Sequence, residues 1–562
     1  MRYSKLFGKT VRDAPSEAIS ISHKLLYKAG YIRELTAGRY EILPLGFRVM
    51  EKIVRIIEEE MQKVGSQRVA TPFLHPKEIW QKTGRDEVWG KDLLTVKDQR
   101  NEQEFTLSAT GEGLFTEMVK NFVPSYKDLP ILIHQFTQKF RNEKRPRGAL
   151  LRLREFVMKD AYSFDADEES FKKTYWNFYN SYLAIAKRFD LDVLPVEADN
   201  GALGGDYSHE FMVEADFGED KIVRCESCDY SANVEKAEFV RQPSTEREEI
   251  KDFETVDLPP EVATIKELVA HYKMPADRFI KNVVYKTSSG KIIIATLTGD
   301  LEVNEKKLQR ALKIADDLET ATKEDLASFG AKTGFVHSWG YTDKRITYVV
   351  DESIVKSRNL YGGYKMETTD PINVNYPRDF KADTVADLAS APDGALCARC
   401  QKGKLNLTRA IEFGHVFSYG TFYSKPHEGY FIDRDGSRKL LLMGAYGIGV
   451  ERTMAIIVET HFDGQGIIWP EVVAPYKYHL IEIKKEKGER RTRGEEVYKK
   501  LTEAGQDVLW DDREEVSTGQ KFADADLIGC PIRLVVSEKT GGKIEYKKRN
   551  SQDVKLISLS EL

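Results

Sequence analysis

Cysteine is scarce in this chain, with five residues in 562. That is too few for a disulfide scaffold and points to a reducing compartment. Long apolar runs are missing as well. The longest, Leu440 to Val450, stops at Glu451-Arg452, short of the ~18 apolar residues that a membrane span needs. The opening MRYSKLFGKTVRDAP lacks the apolar core of a secretory leader. An excess of one charge is also missing: 85 Lys and Arg face 90 Asp and Glu, a formal net charge of −5. Bulk charge therefore advertises neither nucleic acid nor an anionic membrane surface. No internal repeat or low-complexity tract is visible. The expectation is a cytoplasmic protein with no membrane partner.

Hydrophobic residues make up 41% and aromatics 10%, enough to bury a sizeable core and to exclude a mainly disordered or fibrous chain. At ~150 residues per domain, the length suggests three to four domains.

Residues 44 to 64 carry Val49, Ile53, Ile56, Ile57, Met61 and Val64 at helical spacing, which predicts an amphipathic helix. An extended segment, Arg68 to Leu74, follows and contains Pro72. Residues 131 to 164 read as two strands around a polar KRPRGA loop, an antiparallel hairpin with a long turn. Residues 166 to 189 read as a helix capped by Asp165 or Asp167. Residues 240 to 260 are charged and poor in apolar side chains, which predicts a linker. From about 261 to 384 the helix and strand signals describe an α/β domain inserted into the first. A further boundary falls near Pro470 to Pro475, followed by a small α/β domain of alternating elements.

Three constellations could carry chemistry. The first is Phe140-Arg141-Asn142-Glu143, followed by Arg152, Arg154, Glu155 and Phe156. A strand arginine can fork onto a phosphate or carboxylate. A carboxylate two residues on shares its face and can accept from an amine, and an aromatic can stack a base. The bland alternative is a salt-bridged hairpin surface. The second is Met443 to Arg452, with glycines at 444, 447 and 449. Such a strand-to-helix turn can press its backbone against a ligand while Arg452 points into the same cavity from the first helical turn. The alternative is a packing turn with a surface arginine. It is not the dinucleotide fingerprint G-x-G-x-x-G.

The third is Cys225-x-x-Cys228 with Cys397-x-x-Cys400. Two such knuckles supply four thiolates for a tetrahedral, structural Zn²⁺ with no open position. The 397 − 228 = 169 positions between them make sense if a domain is inserted within the ribbon. The alternative is two pairs of reduced thiols. Cys530 reads as a core thiol.

Taken in order, the helix with its following Pro72, the Arg141 hairpin and the glycine turn resemble motifs 1, 2 and 3 of class II aminoacyl-tRNA synthetases. The resemblance is closest to the bacterial-type prolyl enzymes and runs over nearly the whole chain. It rests on GALLRLREFVMKDAYSF (Gly148 to Phe164), GGDYSHEF (Gly204 to Phe211), GHVFSYGTFYS (Gly414 to Ser424), Gly444 to Arg452, and DDREEVSTGQKFADADLIGCP (Asp511 to Pro531). It implies ATP-dependent activation of L-proline to prolyl-adenylate, with Mg²⁺, and transfer to the 3′ end of tRNA(Pro). Arg141 would bridge the proline carboxylate and the α-phosphate, and Arg452 would hold the γ-phosphate. Glu143, Arg152, Phe156, Thr421, Gly447 and Gly449 would complete the ATP site. Thr110 and Glu112 would take the proline ammonium, with Ser208, His209, Glu210 and Phe211 lining the pocket. Two departures are visible: Ala109-Thr110-Gly111-Glu112-Gly113 stands where the family has Pro-Thr-His-Glu-Glu, and Ala445 where it often has cysteine.

The insertion resembles the family's editing domain, which hydrolyses mischarged alanyl-tRNA. Lys281 and Asp351 match family positions. Gly334 to Gly340 replaces a Gly-Pro loop, and Asp370 stands where the family has histidine, so editing is a weaker expectation. The last block resembles an anticodon-binding domain, with Asp511, Asp512, Arg513, Lys521 and Phe522 as candidate readers of unstacked bases. The helix at 44 to 64 resembles the family's dimer interface and implies a homodimer.

The expected architecture is α+β. A class II antiparallel-sheet catalytic domain would occupy 1–222 and 406–472. Ribbon halves would lie at 223–257 (with the linker) and 385–405, the α/β insertion at 258–384, and the α/β anticodon domain at 473–562. Rival readings are a sister class II synthetase for another amino acid such as threonine, which the Ser208-His209-Glu210-Phe211 block disfavours, and a non-catalytic tRNA-binding paralogue, which retention of both Arg141 and Arg452 disfavours. A third, in which hydrolysis of mischarged tRNA dominates, is weakened by the altered insertion.

Overall fold

A computed structural model describes residues 1–198, 207–314, 318–364, 366, 368–483 and 493–562. Gly204, Gly205 and Asp206 of the GGDYSHEF block lie outside the described residues. The chain divides into two units, one of residues 1–195, 208–219 and 409–562, the other of 196–207 and 220–408.

The first unit is built on an antiparallel sheet. Its strands are β1 (Ile131–Phe140), β2 (Glu155–Asp165), β3 (Ser208–Glu214), β4 (Leu405–Gly420) and β5 (Leu442–Gly449). The pairing runs β3-β4-β5-β2-β1. Helix α1 (Pro44–Lys63) starts with proline in its first turn and buries Val49, Ile53, Ile56, Ile57 and Met61, the periodic stripe. Helix α2 (Glu168–Arg188) begins where Asp167 accepts from the Ser170 amide. Asp165, the other capping candidate, is buried and accepts from Ser170 Oγ and Thr174 Oγ1 at 2.6 and 2.9 Å. Its carboxyl is raised to about 6 by burial, against those hydroxyls. Helix α3 (Val450–Thr460) follows β5 directly.

The register of the sheet sorts its side chains. Lys159 donates to Tyr182 Oη of α2 at 2.8 Å, and Tyr446 stacks on Phe178 of α2 at 3.8 Å between ring centroids. Odd-numbered β2 residues therefore face α2. Alternation puts Phe156, Met158, Asp160 and Tyr162 on the opposite face. Opposite Asp160 lies Gly447, and opposite Gly447 lies His415, which in turn pairs with Glu210. This second face is the floor of the site described below.

Residues 473–562 contain a five-stranded sheet. Val508–Asp511, Tyr478–Glu482 and Ile532–Val536 run parallel, and Ile544–Lys548 and Val554–Ile557 complete it antiparallel.

The second unit holds a mixed sheet of Leu318–Thr320, Ile280–Thr287, Ile292–Thr298, Ile346–Asp351 and Thr384–Ala386. The charged segment at 240 to 260, expected as a linker, is fastened to this unit. Arg241 pairs with Asp351, Glu248 with Arg278, and the Lys251 amide donates to Asn359. Two of its charges are held in ion pairs and Glu254–Asp257 pairs as a strand with Thr369–Ile372, so low hydrophobicity there does not mean a loose chain. Among the described residues, no helix is long and apolar enough to cross a membrane.

Candidate active site

The two arginines singled out in the sequence converge on one face of the sheet. Arg141 follows the end of β1, and its Nε donates to the Ala109 carbonyl at 3.2 Å. Its guanidinium lies 5.5 Å from the rings of both Phe156 and Trp89. Arg452, in the first turn of α3, donates from Nε to the Leu151 carbonyl at 2.9 Å and from Nη1 to Glu412 Oε2 at 2.6 Å. Burial and, next, the positive field of Arg452 hold Arg141 below the usual guanidinium range. Two cations that feel each other in a half-buried setting form a site prepared for anionic charge.

The acidic side of this site is Glu412, which also meets His415 Nδ1 at 3.4 Å. Burial pushes its carboxyl up, but His415 and Arg452 outweigh burial and hold it at about 2. Glu210 lies 3.6 Å from the same imidazole nitrogen, so Glu210, Glu412 and His415 converge. Gly447 and Gly449 end β5, opposite Asp160 and Met158 and just before Arg452. A Cβ on Gly447 would meet only Met158 Sδ at 3.7 Å. Protein packing does not require glycine there, and the bare backbone faces the floor.

Glu143 is engaged: its Oε2 accepts from Arg152 Nε at 2.8 Å, and Arg152 also reaches Glu219 at 3.4 Å. Phe156 lies on the floor face of β2. Thr421 lies just past the end of β4 and is exposed.

Thr110 and Glu112 open the short helix Glu112–Val119, where the helix N-terminus favours a carboxylate. Glu112 is buried and lies 3.4 Å from the equally buried Arg85. Beside Thr110, Tyr162 Oη accepts from the Gly111 amide at 3.0 Å and donates to Asp160 Oδ2 at 2.9 Å. Asp160 Oδ2 also receives Lys139 Nζ and Gln135 Nε2, both at 2.9 Å, while its Oδ1 is buried without a partner. Neither Arg85 nor Asp160 was found from the sequence. A Lys-Asp pair inside a strand reads as surface, and only the register shows that Asp160 faces the floor.

The Ser208 to Phe211 block is split by its strand. Ser208 and Glu210 face the floor. His209 and Phe211 face α2: His209 Nδ1 bonds Tyr175 Oη at 2.8 Å, and Phe211 packs on Tyr179 and Tyr182. The expectation that all four residues line one pocket is corrected by strand alternation.

In the second unit, Asp351 is fully buried. Its carboxylate takes both Nε and Nη2 of Arg241 at 3.0 Å and the amides of Ser353 and Leu388 at 2.8 Å. Lys281 Nζ is held by the Leu301 carbonyl at 3.1 Å and by Glu302 at 2.6 Å. Asp370 is buried on Thr369–Ile372, paired in register with Val256. The four knuckle cysteines do meet. Cys225 Sγ lies 3.6 Å from Cys400 Sγ, and Cys228 Sγ lies 3.8 Å from Cys397 Sγ.

Of the five candidate base readers of the last block, Asp511, Arg513 and Lys521 are buried, and Asp512 and Phe522 are partly buried. Arg513 bridges Asp511 and Asp524 at 2.6 and 2.8 Å, and its guanidinium lies 4.0 Å from the Tyr3 ring. Lys521 Nζ donates to the Glu482 carbonyl at 2.7 Å. Asp512 accepts from Ser4, and Phe522 packs beneath Arg533 and against Ile481, Ala525 and Val535. A charged turn reads as surface in sequence, but here residues 3 to 10 fold over it and its charges neutralise one another.

Residues 94–461 match the model of the tRNA synthetase class II core domain (G, H, P, S and T), and residues 473–562 that of an anticodon binding domain. With the antiparallel sheet and its converging arginines, this makes the chain a class II aminoacyl-tRNA synthetase. Curated relatives named proline--tRNA ligase are 42% identical in Caldicellulosiruptor saccharolyticus, over 98% of this chain and 96% of the relative, and 43% identical in a Sulfurihydrogenibium species, over 99% and 98%. The one from Thermotoga maritima is 41% identical over 100% and 96%. The chain belongs to the proline--tRNA ligase family. Its fold is shared with the solved prolyl-tRNA synthetase of Cryptosporidium parvum, complexed with halofuginone and AMPPNP. That match has a TM-score of 0.58 and 14% identity, and covers 99% of this chain and 77% of that one. The Giardia lamblia enzyme in complex with prolyl-adenylate gives a TM-score of 0.56 at 15% identity, covering 96% and 74%.

Proposed function

We propose that the face of the sheet flanked by Arg141 and Arg452 carries out the family's reaction, activation of proline by ATP and transfer of the prolyl group to tRNA(Pro), with roles for the residues as follows. The observation that carries the assignment is the convergence of these two guanidinium groups on one face of the sheet. Attack of a carboxylate on an α-phosphate needs alignment and charge neutralisation more than proton transfer. Arg141 lies beside Thr110 and Glu112 through Ala109, which fits a bridge between the proline carboxylate and the α-phosphate. Arg452 fits the γ-phosphate. It must leave or share Glu412 to do so, and that pairing keeps it in place until the nucleotide arrives.

Phe156 and the bare backbone at Gly447 and Gly449 fit an adenine and ribose seat. Arg152 fixes Glu143 through one oxygen, leaving Oε1 to accept from the adenine amine. Glu112 and Thr110 receive the secondary ammonium of proline. Asp160, with Oδ1 unpartnered behind Thr110, is a further acceptor on that side. Ser208 and Glu210 complete the wall, while His209 and Phe211 hold β3 against α2.

For Mg²⁺, the donor set contains hard carboxylate oxygens from Glu210 and Glu412, which suit it, and an imidazole, which suits it less. The ion would supply neutralisation of the triphosphate. For Zn²⁺, four thiolates at a metal–sulfur distance of ~2.3 Å in a tetrahedron stand ~3.8 Å apart. The sulfur pairs at 3.6 and 3.8 Å fit that spacing, and the Ser227 and Gly403 amides turned toward Cys225 and Cys400 Sγ at 3.4 Å favour the thiolate form. The ion would close the ribbon at 223–257 and 385–405.

For the inserted domain at 258–384 the favoured role is structural rather than hydrolytic, because Asp351 is consumed by Arg241 and Lys281 by Glu302. Release of alanine from Ala-tRNA(Pro), dependent on Lys281, would overturn that part. The domain at 473–562 serves tRNA binding through its surface, with Asp511, Arg513 and Lys521 as internal scaffold. A homodimer across α1, where Phe47 remains 55% exposed, and a cytoplasmic location complete the proposal. The test is charging: the purified chain should attach labelled proline to a tRNA(Pro) transcript and not threonine to tRNA(Thr). Threonine charging would instead support the sister-enzyme reading.

A further inference from the structure

Arg85 stands directly behind the carboxylate assigned to proline's ammonium. It opens the short helix Arg85–Trp89, just after Gly84, whose φ of +66° lets the chain turn sharply inward. Its side chain is 5% exposed, an unusual place for a cation. Nη1 faces Glu112 Oε2 at 3.4 Å and also contacts Tyr423 Oη. The guanidinium is ringed by Trp80, Trp89 and Tyr423, with centroids 5.9, 5.6 and 5.5 Å away. Its Nε is buried without a partner, on a small cavity lined by His75, Trp80, Thr110, Glu112 and Tyr423.

Each of these two groups needs the other. A buried cation without an anion costs several kcal/mol, as does a buried anion without a cation. Among the described residues, the only carboxylate within ion-pair distance of Arg85 is Glu112. The contact is long and uses one oxygen, so Glu112 Oε1 is left for a second cation. Trp89 lies between Arg85 and Arg141, 5.6 and 5.5 Å from their guanidinium carbons, so one ring packs against the groups behind both ends of the amino acid.

We propose that Arg85 is a positioning residue for amino-acid selection: it holds the Glu112 carboxylate in place and oriented, so that the pocket demands a cationic ring nitrogen rather than a neutral ring atom. This deepens the proline-site reading and rests on Glu112 receiving the ammonium. Without Arg85, the buried carboxylate loses its partner and swings toward water. The ammonium then loses its anion, while a neutral ring oxygen loses a repulsion.

The test uses the full chain in proline-dependent ATP–pyrophosphate exchange. The ring-oxygen analogue tetrahydrofuran-2-carboxylate serves as competitive inhibitor. In Arg85→Gln, KM for proline should rise about tenfold or more, KM for ATP should stay within about twofold, and the preference for proline over the analogue should narrow by a similar factor. Arg85→Lys keeps the charge and should retain most of that preference. An equal loss for proline and analogue, or an unchanged KM for proline, would overturn the proposal. If Arg85→Gln shows no cooperative melting transition, Arg85→Lys decides by itself: a preference collapsed to the analogue's level contradicts a role carried by charge. Glu112→Gln separates the two layers. If it leaves KM for proline unchanged, the reading of Glu112 fails. If it raises KM while Arg85→Gln does not, only the role of Arg85 fails.

Discussion

Arg452 donates to Glu412 at 2.6 Å, joining the first turn of α3 to the strand that also carries His415. The arginine assigned to the triphosphate is thus tethered before substrate arrives. Arg452→Ala should lower proline-dependent exchange by about 10²–10³-fold, the scale expected when a charge-stabilising group is removed, with the melting temperature nearly unchanged. Glu412→Gln should show a weaker loss, expressed mainly as a raised KM for ATP. Wild-type exchange in Arg452→Ala would remove the phosphate assignment.

Glu451, the neighbour of Arg452, supplies a pH-dependent prediction. Its carboxylate accepts from the Val157 amide with both oxygens, at 3.0 and 2.9 Å. It does so just beyond Met158, which pairs with Gly449 at the end of β5. Burial raises its pKa from 4.5 to about 7, with the amide bond opposing. Between those values the folded state keeps a proton that the unfolded state has lost. Stability from this group therefore declines as pH rises from ~4.5 to ~7 and is level above that, a total on the order of 3 kcal/mol. Glu451→Gln should melt several degrees higher than the parent at pH 8 and close to it at pH 5. A difference larger at pH 5 than at pH 8 would contradict the assignment.

Much of the first unit was legible because its signals are local. The stripe Val49 to Met61, the Asp167 cap and the glycine turn before Arg452 each lie within one element. The strand face of Ser208 to Phe211 was misjudged because motif content says nothing about alternation. Arg85 and Glu112 are separated by two short strands, Thr95–Lys97 and Glu104–Leu107, and no periodicity links them. Asp511, Arg513 and Lys521 looked like surface charges because composition cannot show that Tyr3 and Thr10 fold over them. The same holds for the segment at 240 to 260, whose pairing with Asp351 and Arg278 depends on distant residues.

The Arg241–Asp351 pair yields a stability prediction. Asp351→Ala removes the bidentate partner of the buried Arg241 guanidinium, which keeps Asp387, and removes acceptors for the Ser353 and Leu388 amides. It should cost ~3–5 kcal/mol in the second unit. Limited proteolysis should show faster cleavage there, while proline-dependent exchange stays within about twofold of the parent. A fall in exchange equal to the gain in cleavage would contradict the separation of the two roles.

The cysteine cluster predicts one zinc per chain. Elemental analysis of protein purified without chelator should find it, and Cys397→Ser should release it and lower the melting temperature of the second unit. Absence of zinc in both proteins would leave four reduced thiols and refute the ribbon.

The most direct measurement is ATP–pyrophosphate exchange across a double-mutant cycle of Arg141→Lys and Arg452→Lys, with proline as the amino acid. Two guanidinium groups acting on one nucleotide predict proline-dependent exchange in the parent and strongly non-additive losses, the double variant being far less impaired than the product of the singles. Losses that multiply independently, or exchange indifferent to proline, would contradict the shared cavity.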